Sequence, residues 1–144
     1  MSNNEKQPLV QVKDVCKYFH VGKNADLKAV DHVSFEIYKG ETVGLVGESG
    51  CGKSTMGRCM IRLYEPTSGE VIYDGKDITK LSKAEQKAFC QKVQMIFQNP
   101  YASLNSRMTV KEIVGEGLIQ QGMPKKEADA KVEQLLRTVG LNKD

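Results

Sequence analysis

Tryptophan is absent from this 144-residue chain, histidine occurs twice, proline four times, and aromatic residues make up only 6%. With so little proline, and 13 glycines spread along its length, the chain is neither a proline-rich linker nor a collagen-like repeat. The four cysteines, Cys16, Cys51, Cys59 and Cys90, form no CxxC pair and no zinc-type spacing, which suits free thiols in a reduced compartment. His20 and His32 have no matching partners for a metal site or a Ser/His/Asp arrangement, and read as surface or strand polar residues. No stretch approaches the roughly 20 apolar residues that cross a bilayer. The polar start from Met1 to Pro8 lacks the apolar core of a signal peptide. An excess of one charge is missing as well: 21 Lys and Arg against 18 Asp and Glu give +3, interspersed along the chain, so nothing demands nucleic acid. What is present, 40% hydrophobic and 27% charged residues, is the composition of one ordinary soluble domain with one core. The expectation is a cytosolic chain that can dock on a membrane protein.

Leu9, Val10 and Val12, followed by Val33, Phe35 and Ile37 alternating with Ser34, Glu36 and Tyr38, predict an opening of β-structure. Lys39-Gly40-Glu41 reads as a turn, and Thr42–Val46 as a strand buried on both faces. A glycine-rich loop, Gly47 to Gly52, precedes a predicted helix from Lys53 to Tyr64, stopped by Pro66 and Thr67-Ser68-Gly69. Glu70–Tyr73, Asp74-Gly75 and Lys76–Ile78 predict a hairpin, because Asp-Gly supplies the positive φ angles of a tight turn. Ser82 with Glu85 is a capping-box signal for a helix to about Gln91, and Thr109 with Glu112 repeats it. Val93–Phe97 is a further strand candidate, broken by Gln98-Asn99-Pro100, with a polar loop to Arg107. Lys125–Val139 carries an apolar stripe of Val132, Leu135, Leu136 and Val139 that reads as a packing face.

Gly47-Glu48-Ser49-Gly50-Cys51-Gly52-Lys53-Ser54 satisfies G-x-x-x-x-G-K-[ST] and falls between a candidate strand and a candidate helix, the context the motif requires. The glycines allow successive N–H groups to curl inward around an anion, and the helix starting near Lys53 adds its positive dipole end. Lys53 can reach β and γ oxygens of a polyphosphate, the Ser54 hydroxyl can ligate Mg²⁺, and Thr55 is placed one residue on to touch phosphate. Cys51 sits where a helix N-terminus and a lysine could lower its pKa, but small-residue filler is the favoured role. Glu48 reads as a solvated loop carboxylate.

The P-loop after Gly40-Glu41, the Pro66–Gly69 turn leading to a hairpin, and Val93-Gln94-Met95-Ile96-Phe97-Gln98 together resemble the ATP-binding cassette ATPases of ABC transporters. Gln98-Asn99-Pro100-Tyr101-Ala102-Ser103-Leu104-Asn105 looks more narrowly like the oligopeptide and dipeptide importer branch. The resemblance runs from about Leu9 to the C-terminus. It implies an α/β fold: a P-loop NTPase core, an N-terminal antiparallel β-subdomain, and the start of a helical subdomain, with about 9–98 holding the first two and about 99–144 the Q-loop region and helices. By the same resemblance Gln98 is the Q-loop glutamine that meets Mg²⁺ and the water near the γ-phosphate, so Lys53 and Gln98 are the candidate catalytic residues and Ser54 and Gln98 the Mg²⁺ ligands. Gly47, Ser49, Gly50, Cys51, Gly52, Lys53, Ser54 and Thr55 would hold ATP, with Phe19, or adjacent Tyr18, stacking on adenine.

The family completes its site with an LSGGQ-type signature, a strand ending in Asp-Glu and a switch histidine, and none of these occurs before Asp144. The 144 residues are therefore expected to be a portion truncated before the signature, binding nucleotide but turning over little or nothing, with sheet edges that favour self-association. The implied partners are transmembrane permease subunits, a second ATPase subunit in a homo- or heterodimer, and indirectly a solute-binding protein. The implied location is the inner face of the cell membrane. Against this stand a non-catalytic nucleotide-binding or partner-docking fragment, an importer of another small solute such as nickel, and a small-molecule kinase or GTPase. The last is opposed by the missing Asn-Lys-x-Asp motif.

Overall fold

A computed structural model describes residues 7–22 and 25–141. The chain forms two compact units, Met1–Gln94 and Met95–Asp144. Among the described residues no helix is long and apolar enough to cross a membrane.

The first unit is built on the expected hairpin. Strand β1 (Val10–His20) pairs antiparallel with β2 (Asp26–Ile37) and, on its other side, with β3 (Ser68–Tyr73). A two-residue strand β4 (Lys76–Asp77) completes the order β2-β1-β3-β4. The two-residue alternation is kept in β2, where Val33, Phe35 and Ile37 are partly buried and Ser34 and Glu36 exposed. Asp74 and Gly75, with φ of 50° and 77°, make the tight turn into β4, as the Asp-Gly pair requires.

Val12, Val15, Val30 and Val71 of the sheet form one core with Ile78, with Met56 and Cys59 of helix α1 (Lys53–Met60), and with Phe89 of helix α2 (Lys83–Lys92). Each fully buried aliphatic side chain contributes roughly 1.5–3 kcal/mol. Phe89 meets Tyr73 edge-to-face with centroids 5.3 Å apart. Helix α2 opens on the predicted capping box: Ser82 accepts from the Glu85 N–H while the Glu85 carboxylate accepts from the Ser82 N–H at 3.0 Å.

Helix α1 is shorter than the sequence predicted. It stops at Met60 because Arg62 turns left-handed at φ 55°, the Arg62 N–H bonding Cys59 O at 3.0 Å and the Leu63 N–H bonding Arg58 O at 2.8 Å. This is the double closure that ends many helices.

Two strand expectations are not met. Thr42–Val46 and Val93–Phe97 form no regular secondary structure and join no ladder among the described residues, and Val46 and Ile96 are each 95% exposed. A strand buried on both faces needs parallel neighbours brought in by long crossovers. Nothing among the described residues supplies such a neighbour to either run.

The second unit holds a short helix α3 (Pro100–Ser103), inside what was read as a polar loop, followed by α4 (Val110–Gln120) and α5 (Lys125–Thr138). Thr109 and Glu112 form the second predicted capping box. Helices α4 and α5 pack through Gly115, where a Cβ would lie 3.5 Å from Val132, and Lys111 pairs with Asp129 at 3.1 Å. The buried face of α5 is Ala128 and Val132. Of the predicted stripe, Val132 is fully buried and Leu136 partly so, while Val139, at the cap beyond the last turn, is 70% exposed.

Candidate nucleotide site

The loop Gly47–Gly52 joins the run 42–46 to the start of α1. Gly50 and Gly52 take φ of +83° and +92°, left-handed values that glycine adopts without penalty. At Gly52 the demand is doubled, because an added Cβ would lie 2.0 Å from the Ala29 carbonyl oxygen of β2. The loop therefore rests directly on the backbone of the hairpin. Gly52 is the N-cap of α1 and offers no side chain to the first turn, which also carries no acidic residue. Amide donors at that end are left for an anion, with the helix dipole behind them.

Lys53 folds back over the loop. Its Nζ donates to Gly47 O at 2.7 Å and Glu48 O at 2.5 Å, and lies 3.4 Å from Cys51 Sγ. These are neutral acceptors, and a polyphosphate would offer the same ammonium charged ones, which bind about twice as strongly. Ser54 is exposed on the first turn of α1 and Thr55 half-buried beside it. Cys51 and Glu48 are exposed, and it is the Glu48 carbonyl rather than its carboxylate that meets Lys53. A cleft of about 380 Å³ opens beside the loop, lined by Lys28, Asp31, Leu45, Cys51, Gly52 and Lys53 among others.

The aromatic candidates lie on β1. Phe19 is half-buried against Tyr64, edge-to-face at 5.5 Å, with Lys17 Nζ 5.1 Å from its centroid. The Tyr18 hydroxyl donates to Asp31, which raises its pKa well above the ordinary phenol value. Gln98 is exposed in the second unit, in the bend before α3, where the Asn99 side chain accepts from the Ala102 N–H at 3.4 Å.

Residues 30–144 match the ABC transporter family. The chain belongs to that family. It is 52% identical over 141 residues to the oligopeptide transport ATP-binding protein OppF of Bacillus subtilis (strain 168), a match covering 96% of this chain and 46% of that protein. It is 49% identical over 144 residues to the dipeptide transport ATP-binding protein DppF of Lactococcus lactis subsp. cremoris (strain MG1363), covering 97% and 46%. Among solved structures, the ATP-binding cassette MJ0796, a dimer in a post-hydrolysis state bound to ADP and Pi, superposes with a TM-score of 0.76 at 30% identity. That match covers 93% of this chain and 58% of the cassette. The fold is thus that of an ABC ATPase cassette over the part the chain spans, about half the length of the curated relatives it matches.

One group of residues escaped the sequence reading. Cys16, Asp31 and His32 come together on the hairpin, their ligand atoms all within 4.8 Å of one another. The Tyr18 hydroxyl and then the His32 N–H hold the Cys16 thiol below its ordinary pKa. The signal was present in the pairing register: Cys16 stands alone between the pairs Val15–Val33 and Lys17–Val30, so it faces both Asp31 and His32.

Proposed function

We propose that this chain holds Mg-ATP on the loop Gly47–Ser54, as part of an ATPase subunit that powers an importer of oligopeptides or dipeptides. The observation that carries the reading is the uncapped N-terminus of α1: a glycine N-cap whose added Cβ would run into the Ala29 carbonyl, no acidic side chain in the first turn, and Lys53 folded across the loop. The importer class is supported by the names of the two curated relatives at about half identity.

In this reading the loop amides and Lys53 bind the β and γ phosphates, and Ser54 would hold Mg²⁺, which would supply charge neutralisation for phosphoryl transfer. Ser49, Cys51 and Thr55 contribute loop backbone or hydroxyl contacts, and Phe19 or Tyr18 stacks on the adenine. Transmembrane permease subunits, a second ATPase subunit and, indirectly, a solute-binding protein are the partners. The chain sits peripherally on the cytoplasmic face of the membrane through the permease. Residues 9–98 and 99–144 divide the work between nucleotide core and the region facing the permease. The group that polarises the attacking water is not among these residues, so the 144-residue chain alone binds nucleotide without steady turnover.

Titration with a fluorescent ATP analogue and Mg²⁺ tests the reading. Saturable binding is expected in the parent chain and none in Lys53→Ala. Equal affinity in both would remove the loop from the site.

A further inference from the structure

We propose that Cys16, Asp31 and His32 form a binding site for a borderline-soft divalent cation of the zinc type, on the hairpin and separate from the phosphate loop. The three residues offer thiolate sulfur, carboxylate oxygen and imidazole nitrogen, the donor set zinc takes, with a water completing four-coordination. Asp31 Oδ1 is central, 3.9 Å from Cys16 Sγ and 3.9 Å from His32 Nε2. Tetrahedral bonds of about 2.0–2.3 Å put neighbouring ligand atoms about 3.5 Å apart. Closing around an ion therefore needs only small side-chain movements.

The backbone is shaped to make this meeting. Two bulges stand back to back in the hairpin: Lys13 and Asp14 lie opposite Ser34 alone, and Asp31 and His32 lie opposite Cys16 alone. Asp14 and His32 occupy the left-handed region at φ 49° and 50°. For residues other than glycine that is an uncommon conformation which the surroundings must hold in place. The bulge at His32 turns its ring so that Nδ1 lies 2.8 Å from Asp14 Oδ1, leaving Nε2 toward Asp31. A carboxylate on the far nitrogen of a ligating histidine fixes tautomer and ring orientation, and Asp14 is placed to do so. The His32 N–H reaches Cys16 Sγ at 3.2 Å, which stabilises sulfur as an anion.

Zinc neither gains nor loses electrons here. Binding displaces one proton from the Cys16 thiol to solvent, forms the three protein–metal bonds and releases waters from the hydrated ion. Because Asp31 also lines the cleft beside Gly52 and Lys53, an ion at this site would fix one wall of that cleft.

Co²⁺ added to the full chain without nucleotide is the test, since cobalt replaces zinc and reports a sulfur ligand through a thiolate-to-metal charge-transfer band. One ion per chain is expected, with the band retained in Cys90→Ser and lost in Cys16→Ser. His32→Ala, whose parent side chain is 65% exposed, should bind at least ten-fold more weakly in a chain whose circular dichroism matches that of the parent. Addition of Zn²⁺ should bleach the cobalt band and raise the melting temperature of the parent chain but not of His32→Ala. A band that survives Cys16→Ser, or equal affinity in His32→Ala, would overturn the site, as would the absence of any band in the parent chain. If Cys16→Ser does not fold, the His32→Ala titration decides alone.

Discussion

The hairpin β1–β2 and the runs Thr42–Val46 and Val93–Phe97 are all strand-like in sequence, yet only the hairpin forms a ladder. In the hairpin each strand has its partner only a few residues away in the chain, and β3 adds to the free edge of β1. The two other runs are almost wholly apolar, the pattern of strands that share both faces with neighbours. Neither has such a neighbour among the described residues, and Val46 and Ile96 face solvent. A hydrophobic run thus states what a segment needs, whereas its final structure depends on whether the need is supplied.

The largest effects separate the two classes directly. Val71→Asp places an unpaired charge where the side chain is fully buried and should destabilise the chain by about 4 kcal/mol. Val46→Asp should change stability by no more than about 0.5 kcal/mol. Urea denaturation followed by circular dichroism measures both, and a large cost at Val46 would mean that the run is covered in solution. Next comes the place where the hairpin supports the loop. Gly52→Ala drives a Cβ into the Ala29 carbonyl and should cost about 3 kcal/mol together with nucleotide binding. Gly50→Ala meets nothing within 4 Å and should cost only about 1 kcal/mol for its left-handed φ. Equal costs in thermal melts would show that the hairpin does not bear on the loop.

Smaller effects belong to the helix starts, whose partners are nearer still. Ser82→Ala and Thr109→Ala should each cost about 1 kcal/mol, read as reduced helicity and a lower urea midpoint. The smallest effect is on pH. Backbone hydrogen bonds from Ser82 and Thr109 hold the Glu85 and Glu112 carboxyls below the ordinary glutamate value of about 4.5. A depressed folded-state pKa contributes stability that is present above 4.5 and is lost as pH falls through the folded value. The acid-induced drop in melting temperature should therefore be shallower in the Glu85→Gln, Glu112→Gln double variant than in the parent chain.

Local signals were the legible ones. Both capping boxes, the Asp74-Gly75 turn and the alternation Val33, Phe35, Ile37 each depend on contacts within a few residues, and each formed as read. The end of α1 was misread because it depends on Arg62 adopting a left-handed turn, which nothing about arginine announces. The stripe on α5 was only partly right, since the glycine opposite Val132 decides where α4 comes close. At the candidate site the motif is legible as a sequence pattern and the helix after it forms from Lys53, whereas the strand expected before it, Thr42–Val46, joins no ladder among the described residues. The sequence did not disclose that β2 forms the floor under Gly52, or that bulges bring Asp31 and His32 to Cys16, because both depend on pairing register rather than on spacing along the chain.

Under the proposed function, Lys53 lying across the carbonyls of Gly47 and Glu48 would make nucleotide entry an exchange and not an addition. The ammonium would then act as an internal placeholder that lets go before the phosphates settle, and the bound state would gain only the difference between two sets of contacts. A chain whose lysine was shortened or uncharged would lose the attraction for phosphate and also the clasp that keeps the loop curled while it waits.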